Sequence, residues 1–212
     1  MARAMKDSGI KWIGDIPVDW ETYAVFQLFM PVKNKNTGLQ EQNLLSLSYG
    51  KIKRRNIDST EGLLPESFDG YNIIEAGDIV LRLTDLQNDQ KSLRVGIATE
   101  RGIVTSAYLT IRNQSDLLAK YLYYYLHSFD VSKGFYSMGA GIRQSLNWDG
   151  IKKLEILSPP LEEQQHIADF LDKECARIDS AIEKMKQLVT ELESLKKSLI
   201  FEYVTGKKEV PT

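Results

Sequence analysis

The stretch YSMGAGIRQSLN, residues 136–147, sets glycines beside Arg143, Gln144, Ser145 and Asn147. Arginine and the side-chain amides make paired hydrogen bonds to guanine and adenine edges in duplex DNA. A solvated surface loop would carry the same residues, so chemistry alone leaves both readings open. A second stretch, YGKIKRRN (49–56), gathers Lys51, Lys53, Arg54 and Arg55. It follows a strand-like run and reads as a basic loop. A cluster of this kind suits phosphate oxygens.

The charge of the whole chain hides these clusters. The formal net charge is -2 over 212 residues. From Leu161 onward the chain is net -3, leaving the preceding residues at +1. Within them, residues 31–60 carry +4 and residues 120–153 carry +3, whereas residues 59–81 hold five acids and no base. A fold that brought the two basic stretches to one side would make a phosphate-binding face under a neutral total.

Other chemistries find little support. There is no GxxxxGK[ST] phosphate loop, no HExxH and no GxSxG. The GAG at 139–141 is only a fragment of a dinucleotide-binding fingerprint. SPPL (158–161) is similar to the [DN]PP[YF] motif of amino-methyltransferases, but Ser158 and Leu161 replace its polar acceptor and its stacking aromatic. It reads instead as a helix entrance. The nearest approach to a nuclease set is Asp78 with Asp89, Gln90 and Lys91. Two carboxylates and a lysine can hold Mg²⁺ and orient water, but TDLQNDQKS also reads as a polar turn. His166 and Asp169 form a polar pair near a helix start, with no third catalytic partner. The single cysteine, Cys175, excludes an internal disulfide, and no Cys/His cluster points to zinc. These features, with no apolar run long enough to cross a bilayer, lead to an expectation of a reducing, cytoplasmic setting.

The elements that would position these groups fall into two kinds, an α+β (mixed α/β) body and a long terminal helix. Strand-like runs are LLSLSY (44–49), GDIVLRLT (77–84), RVGIAT (94–99), VTSAYLTIR (104–112) and LEILS (154–158). Helical patterns fit YAVFQLF (23–29) and DLLAKYLYYYLHSF (116–129), the second capped by Ser115. Tyr121, Tyr123, Tyr124 and Tyr125 would circle that helix. From Leu161 the pattern changes. Ile167, Leu171, Cys175, Ile178, Ile182, Met185, Val189, Leu192, Leu195, Leu199 and Tyr203 recur at spacings of three and four. That is the seam of a coiled-coil-type helix. Pro159 and Pro160 suit its entrance, Glu162 and Glu163 favour its first turn, and Gly206 offers a stop. A helix of about 40 residues is about 60 Å long, longer than a domain of this size is wide. Part of the stripe is therefore expected to pair with another helix, in a second copy or another protein. Packing against its own domain is the plainer alternative. Cys175, on the seam, is expected to act as a small packing residue. The division expected is 5–158 for the body, 159–206 for the helix and 207–212 for a tail.

These phrases, in this order, resemble one half of a type I restriction-modification specificity subunit. DSGIKWIGDIPVDWE (7–21) is similar to the opening phrase before that family's target recognition domain. GDIVLRLTD (77–85) and GIVTSAYLTIR (102–112) resemble its central strands. GAGIRQSLNWDGIKKLEILSPPLEEQQHIADFLD (139–172) resembles its junction with the conserved helix, and LIFEYVTGKKEV (199–210) the end of that helix.

The resemblance implies sequence-specific recognition of double-stranded DNA by a non-catalytic subunit. Partner modification subunits would bind S-adenosylmethionine and methylate adenine. A restriction and translocation subunit would use ATP and Mg²⁺, so no cofactor is expected on this chain. It implies Arg143 and Gln144 as first candidates for base or phosphate contact, and Lys51, Lys53, Arg54 and Arg55 as phosphate holders. Arg82 and Thr84, at the end of a strand resembling the recognition core, are lesser candidates. Typical members hold two recognition domains and two helical regions, and this chain holds one of each. Two copies pairing their helices antiparallel would restore the pair and present two identical readers to an inverted-repeat site. The competing readings are an oligomeric adaptor that binds no DNA, and a stand-alone DNA methyltransferase or nuclease.

Overall fold

Short aliphatic runs flanked by glycine and polar turns build the body of the protein from small antiparallel pairs. The computed structural model describes residues 3–57, 67–87, 93–138 and 145–211. Among these, the elements in chain order are β1 (Met5–Asp7), β2 (Asp15–Pro17), β3 (Glu21–Ala24), α1 (Val25–Leu28), β4 (Phe29–Pro31), β5 (Leu45–Ser48) and β6 (Lys51–Arg54). There follow β7 (Asn72–Ile74), β8 (Ile79–Leu81), β9 (Val95–Ile97), β10 (Gly102–Val104), β11 (Leu109–Asn113), α2 (Ala119–Val131), α3 (Trp148–Ile151), β12 (Glu155–Ser158) and α4 (Leu161–Val204). The fold class is α+β with a long C-terminal helix. The chain separates into two units, Met1–His166 and Ile167–Thr212, so the first turns of α4 belong to the first unit.

The centre of the first unit is a four-stranded sheet in the order β4-β11-β8-β9, antiparallel throughout. Strand β8 is buried on both faces, which explains its unbroken Ile79-Val80-Leu81 run. Hairpin β5–β6 and the pair β7–β10 supply a second layer of apolar residues, from which Leu45, Ile74 and Val104 join Val80 of β8 and Ala98 in one buried cluster. Helix α2 packs on β9 and β12, burying Leu122 and Leu126 completely.

Several local expectations change once distant partners are present. VTSAYLTIR divides into two strands. The Tyr108 N–H closes on the Thr105 carbonyl at 3.1 Å, and the turn sends β10 to β7 and β11 to β8. YAVFQLF is not a long helix. Only one turn, α1, survives between β3 and β4, because the flanking residues pair with β12 and β11. Helix α2 begins at Ala119, later than the expected start, and Ser115 does not cap it. Ser115 instead donates to Asn113 Oδ1 at 2.7 Å, within a turn. The amide of Leu118, at the N-cap, is satisfied by Gln164 Oε1 at 2.9 Å.

Gln164 is 1% exposed and also donates to the Pro159 carbonyl at 2.8 Å. It thus ties the entrance of α4 to the start of α2. Glu163 is fixed as well, accepting from Trp20 Nε1 at 2.9 Å and from Arg3 Nη2 at 2.7 Å. Its carboxyl is held below the usual range chiefly by the Arg3 hydrogen bond. The tyrosines of α2 divide by face. Tyr121 and Tyr125 are buried and donate to the carbonyls of Leu157 and Glu155 in β12, whereas Tyr123 and Tyr124 are half-buried. Burial pushes the Tyr121 and Tyr125 hydroxyls well above their ordinary range.

The second unit is the rest of α4 and the residues after it. The helix ends as expected at Gly206, whose φ of 70° lets Lys207 N–H reach back to the Glu202 carbonyl at 2.8 Å. No described helix is long and apolar enough to cross a membrane.

Candidate nucleic-acid interface

The basic stretch 51–54 is a strand, not a loop. Four residues pair in register with β5, Leu45 opposite Arg54, Ser46 opposite Lys53, Leu47 opposite Ile52 and Ser48 opposite Lys51. Alternation then sorts the side chains. Leu45, Leu47, Ile52 and Arg54 share the face turned to the core, and Ser46, Ser48, Lys51 and Lys53 share the other. The two lysines are exposed and the two serines half-buried, which makes a ribbon face of two ammonium groups beside two hydroxyls.

Arg54, expected to act with these lysines, lies on the opposite face. Its Nε donates to Glu100 Oε1 at 2.7 Å and to Oε2 at 2.9 Å, and its Nη2 also reaches Oε2. The hydrogen bond from Arg54 is the largest influence holding the Glu100 carboxyl below the usual range. Arg55 lies just beyond the strand, with its N–H bonded to the Leu44 carbonyl at 2.8 Å.

Arg82 and Thr84 follow β8 directly, on a bend that a buried arginine shapes. Arg94 is 0% exposed. Its Nη1 donates to the carbonyls of Arg82 at 3.0 Å and Thr84 at 2.9 Å, and its Nη2 to that of Asp85 at 3.3 Å. Its Nε donates to the Tyr136 hydroxyl at 3.1 Å, with the guanidinium 5.2 Å from that ring. Asp130 Oδ2 accepts from the Arg94 backbone N–H at 2.6 Å. Burial pushes the Asp130 carboxyl up, an effect that its hydrogen bond and the charge of Arg94 partly oppose. The bend is therefore fixed from below while half-buried Arg82 and Thr84 sit on it.

Arg143 and Gln144, the first candidates for base contact, lie outside the described residues, as do Asp89, Gln90 and Lys91. The chain leaving that stretch is placed. The Leu146 N–H donates to the Leu83 carbonyl at 2.8 Å, which sets residues 145–147 against the bend that carries Arg82 and Thr84. Asn147 is not free to read with its side-chain oxygen. Its Oδ1 accepts from the Gly150 N–H at 3.1 Å and caps α3.

Asp78 is not a metal ligand either. Its side chain is almost fully buried and both of its oxygens are taken by Arg112. Among the described residues, no group of three or more His, Cys, Asp or Glu side chains could hold a metal ion.

The helix seam is exposed. Ile178, Ile182, Met185, Val189, Leu192, Leu195 and Leu199 lie between 40% exposed at Leu199 and 66% at Met185, and Leu171 is half-buried. Cys175, expected to be packed away, is exposed too. Leu188, Ile200 and Phe201 are each more than half exposed; Leu188 lies one heptad before Leu195 and widens the seam, whereas Phe201 falls outside it.

Sequence reasoning missed Arg94 and Asp130. A charged residue at the head of a short apolar strand reads as a solvated end, and nothing nearby announces its buried acceptors.

Comparison with known proteins agrees with this architecture. The chain is 26% identical over 218 aligned positions, 92% of its own length, to a protein described as type I restriction enzyme MjaX specificity subunit of Methanocaldococcus jannaschii. Its fold is similar to a chain solved in a study of assembly and conformational transition of the type I R-M system, with a TM-score of 0.63 at 14% identity over 90% of this chain and 47% of that one. It is also similar to the HsdS subunit from Thermoanaerobacter tengcongensis, with a TM-score of 0.56 at 15% identity over 90% of this chain and 46% of that one. The chain spans about half, 50%, of the length of the Methanocaldococcus jannaschii relative. Residues 17–194 match the family model of the type I restriction modification DNA specificity domain, and the chain belongs to that family.

Proposed function

We propose that this chain is the DNA-reading half of a type I restriction-modification specificity subunit, with base recognition on the first unit and association on α4. The observation that carries the reading is the family match across residues 17–194, which spans both the α+β body and most of the helix. The ribbon face of Lys51 and Lys53 supports it, because paired ammonium groups on a strand can follow a phosphate backbone. The bend of Arg82 and Thr84, joined to the segment that leaves Arg143 and Gln144, supports a second contact beside it. The chain contributes no catalytic group in this reading. S-adenosylmethionine belongs to partner modification subunits that methylate adenine. ATP and Mg²⁺ belong to a partner that translocates and cuts.

Two copies pair their α4 seams antiparallel, and exposed Phe201, outside the seam, offers separate ground for modification subunits. A two-fold pair presents two identical readers to a split, inverted-repeat site, with a spacer set by helix length. The test is methylome sequencing of the source cell with and without the gene. Loss of one split methyladenine motif supports the assignment, and an unchanged methylome rejects it. Deleting whole turns of α4 should shift the preferred spacer.

A further inference from the structure

The connection between β5 and β6 is only two residues long, Tyr49 and Gly50, closed by the Ser48–Lys51 pair. Both have positive φ, 46° at Tyr49 and 76° at Gly50. This mirror-image turn matches the twist of the strands it joins, and its first position ordinarily holds Asn, Asp or Gly. A tyrosine there meets a steric clash at Cβ that those residues tolerate better. Burial does not offset the strain, because the Tyr49 side chain lies in the open, with the residue 75% exposed.

The turn beneath it is firmly seated. Gly50 is buried, and a Cβ added there would lie 3.2 Å from Leu93 Cβ and 3.6 Å from His127 Cε1. The Tyr123 hydroxyl points to the Gly50 carbonyl at 3.4 Å. The fold thus holds a bulky ring in an unfavourable backbone conformation, on a rigid support, at the end of a ribbon with Lys51 and Lys53 on its outer face. Non-glycine residues held in the left-handed region cluster at ligand clamps and active sites, and Tyr49 is the most exposed of the large apolar side chains so held among the described residues. A two-stranded ribbon is also one of the shapes that the major groove admits.

We infer that Tyr49 is a specificity-determining residue, entering the major groove of duplex DNA at the tip of the β5–β6 ribbon to meet base edges. Lys51 and Lys53 hold the flanking phosphates and set the depth of insertion. The ring supplies a flat apolar face for a thymine methyl group, and its hydroxyl can donate or accept a hydrogen bond. This inference rests on the DNA-reading assignment above.

The test uses the full chain and a random-sequence duplex library, selecting bound sequences for wild type, Tyr49→Asn and Tyr49→Gly. Asn and Gly both accept positive φ, so these variants should melt no lower than wild type. They should keep the salt-dependent affinity for arbitrary duplex and lose roughly five- to a hundredfold of the preference at one or two base pairs, the range of one base contact. An unchanged selected sequence and preference would overturn the role of Tyr49 and leave DNA reading intact. Equal weakening on all sequences would make Tyr49 a phosphate contact and also overturn it. A wild-type chain that selects no sequence would defeat the underlying assignment together with this inference.

Discussion

Arg112 closes both oxygens of Asp78, with Nε and Nη2 each at 2.7 Å. The Asp78 side chain is 2% exposed and that of Arg112 39%, so the pair plugs the start of β8 with its charged end toward water. The hydrogen bond it donates to Asp78 is the main cause raising the Arg112 guanidinium above its ordinary value. The Glu75 N–H adds a third bond to Asp78 Oδ2 at 2.8 Å. Removing the arginine strands a buried carboxylate. Arg112→Ala is expected to cost about 2–3 kcal/mol, below the range for a fully buried pair because one partner is partly solvated. Urea denaturation reads this directly, and a loss under about 0.5 kcal/mol would show that the pair is not structural.

Arg94 gathers three backbone carbonyls about one guanidinium. Arg94→Ala leaves the acceptors of Arg82, Thr84 and Asp85 without their donor and is expected to cost about 2–4 kcal/mol. Lysine should not rescue it, since one ammonium group cannot reproduce a planar fork. Chemical denaturation of Arg94→Ala and Arg94→Lys tests both statements. Stability restored by lysine would mean that charge alone matters.

The two faces of the ribbon should behave differently toward DNA. Replacing Lys51 and Lys53 together with Ala should weaken binding to every duplex alike and lower the slope of log affinity against log salt by about 2. Arg54→Ala should change that slope by less, because Glu100 already engages Arg54. Glu100→Gln should release Arg54 and strengthen non-specific binding. Fluorescence anisotropy across a salt series separates the outcomes, and equal effects at Arg54 and the lysines would refute the sorting of faces.

His127 should make stability depend on pH. Burial pushes its imidazole below the ordinary value of 6.5, opposed only by Asp130. The unfolded chain then binds more protons at this site than the folded one, so stability rises with pH in this window. The site's contribution should be steady above pH 6.5 and decline as pH falls through 6.5 toward the lower folded value. Asp130 acts in the opposite sense at lower pH. Its raised folded value means that protonation relieves an unfavourable buried charge. Melting temperatures of wild type and His127→Gln from pH 5 to 8 isolate the histidine. Parallel curves would show that it does not titrate with folding.

The long helix was readable because its signal is local. Spacings of three and four persist from Ile167 to Tyr203 without a breaker, and the helix forms from Leu161 to Val204. Five runs rich in branched and aliphatic residues all yielded strands for the same reason, although their ends and the division at Thr105 did not follow from composition. The short strands β1, β2, β3, β4 and β7 were not legible, because three or four residues are too few to show a period.

What the amino-acid order determined by itself is the pair of regular periods, two for the strands and three-to-four for the helix, together with the order of phrases shared with the family. Tertiary structure alone decided which charges meet. Arg54 finds Glu100 46 positions away, and Asp130 accepts from the backbone of Arg94, 36 positions away. Periodicity is written in neighbouring residues, so a short window contains it. A charge pair is written in the closure of long loops, where the sheet first sets the register and the side chains then take the partners left within reach.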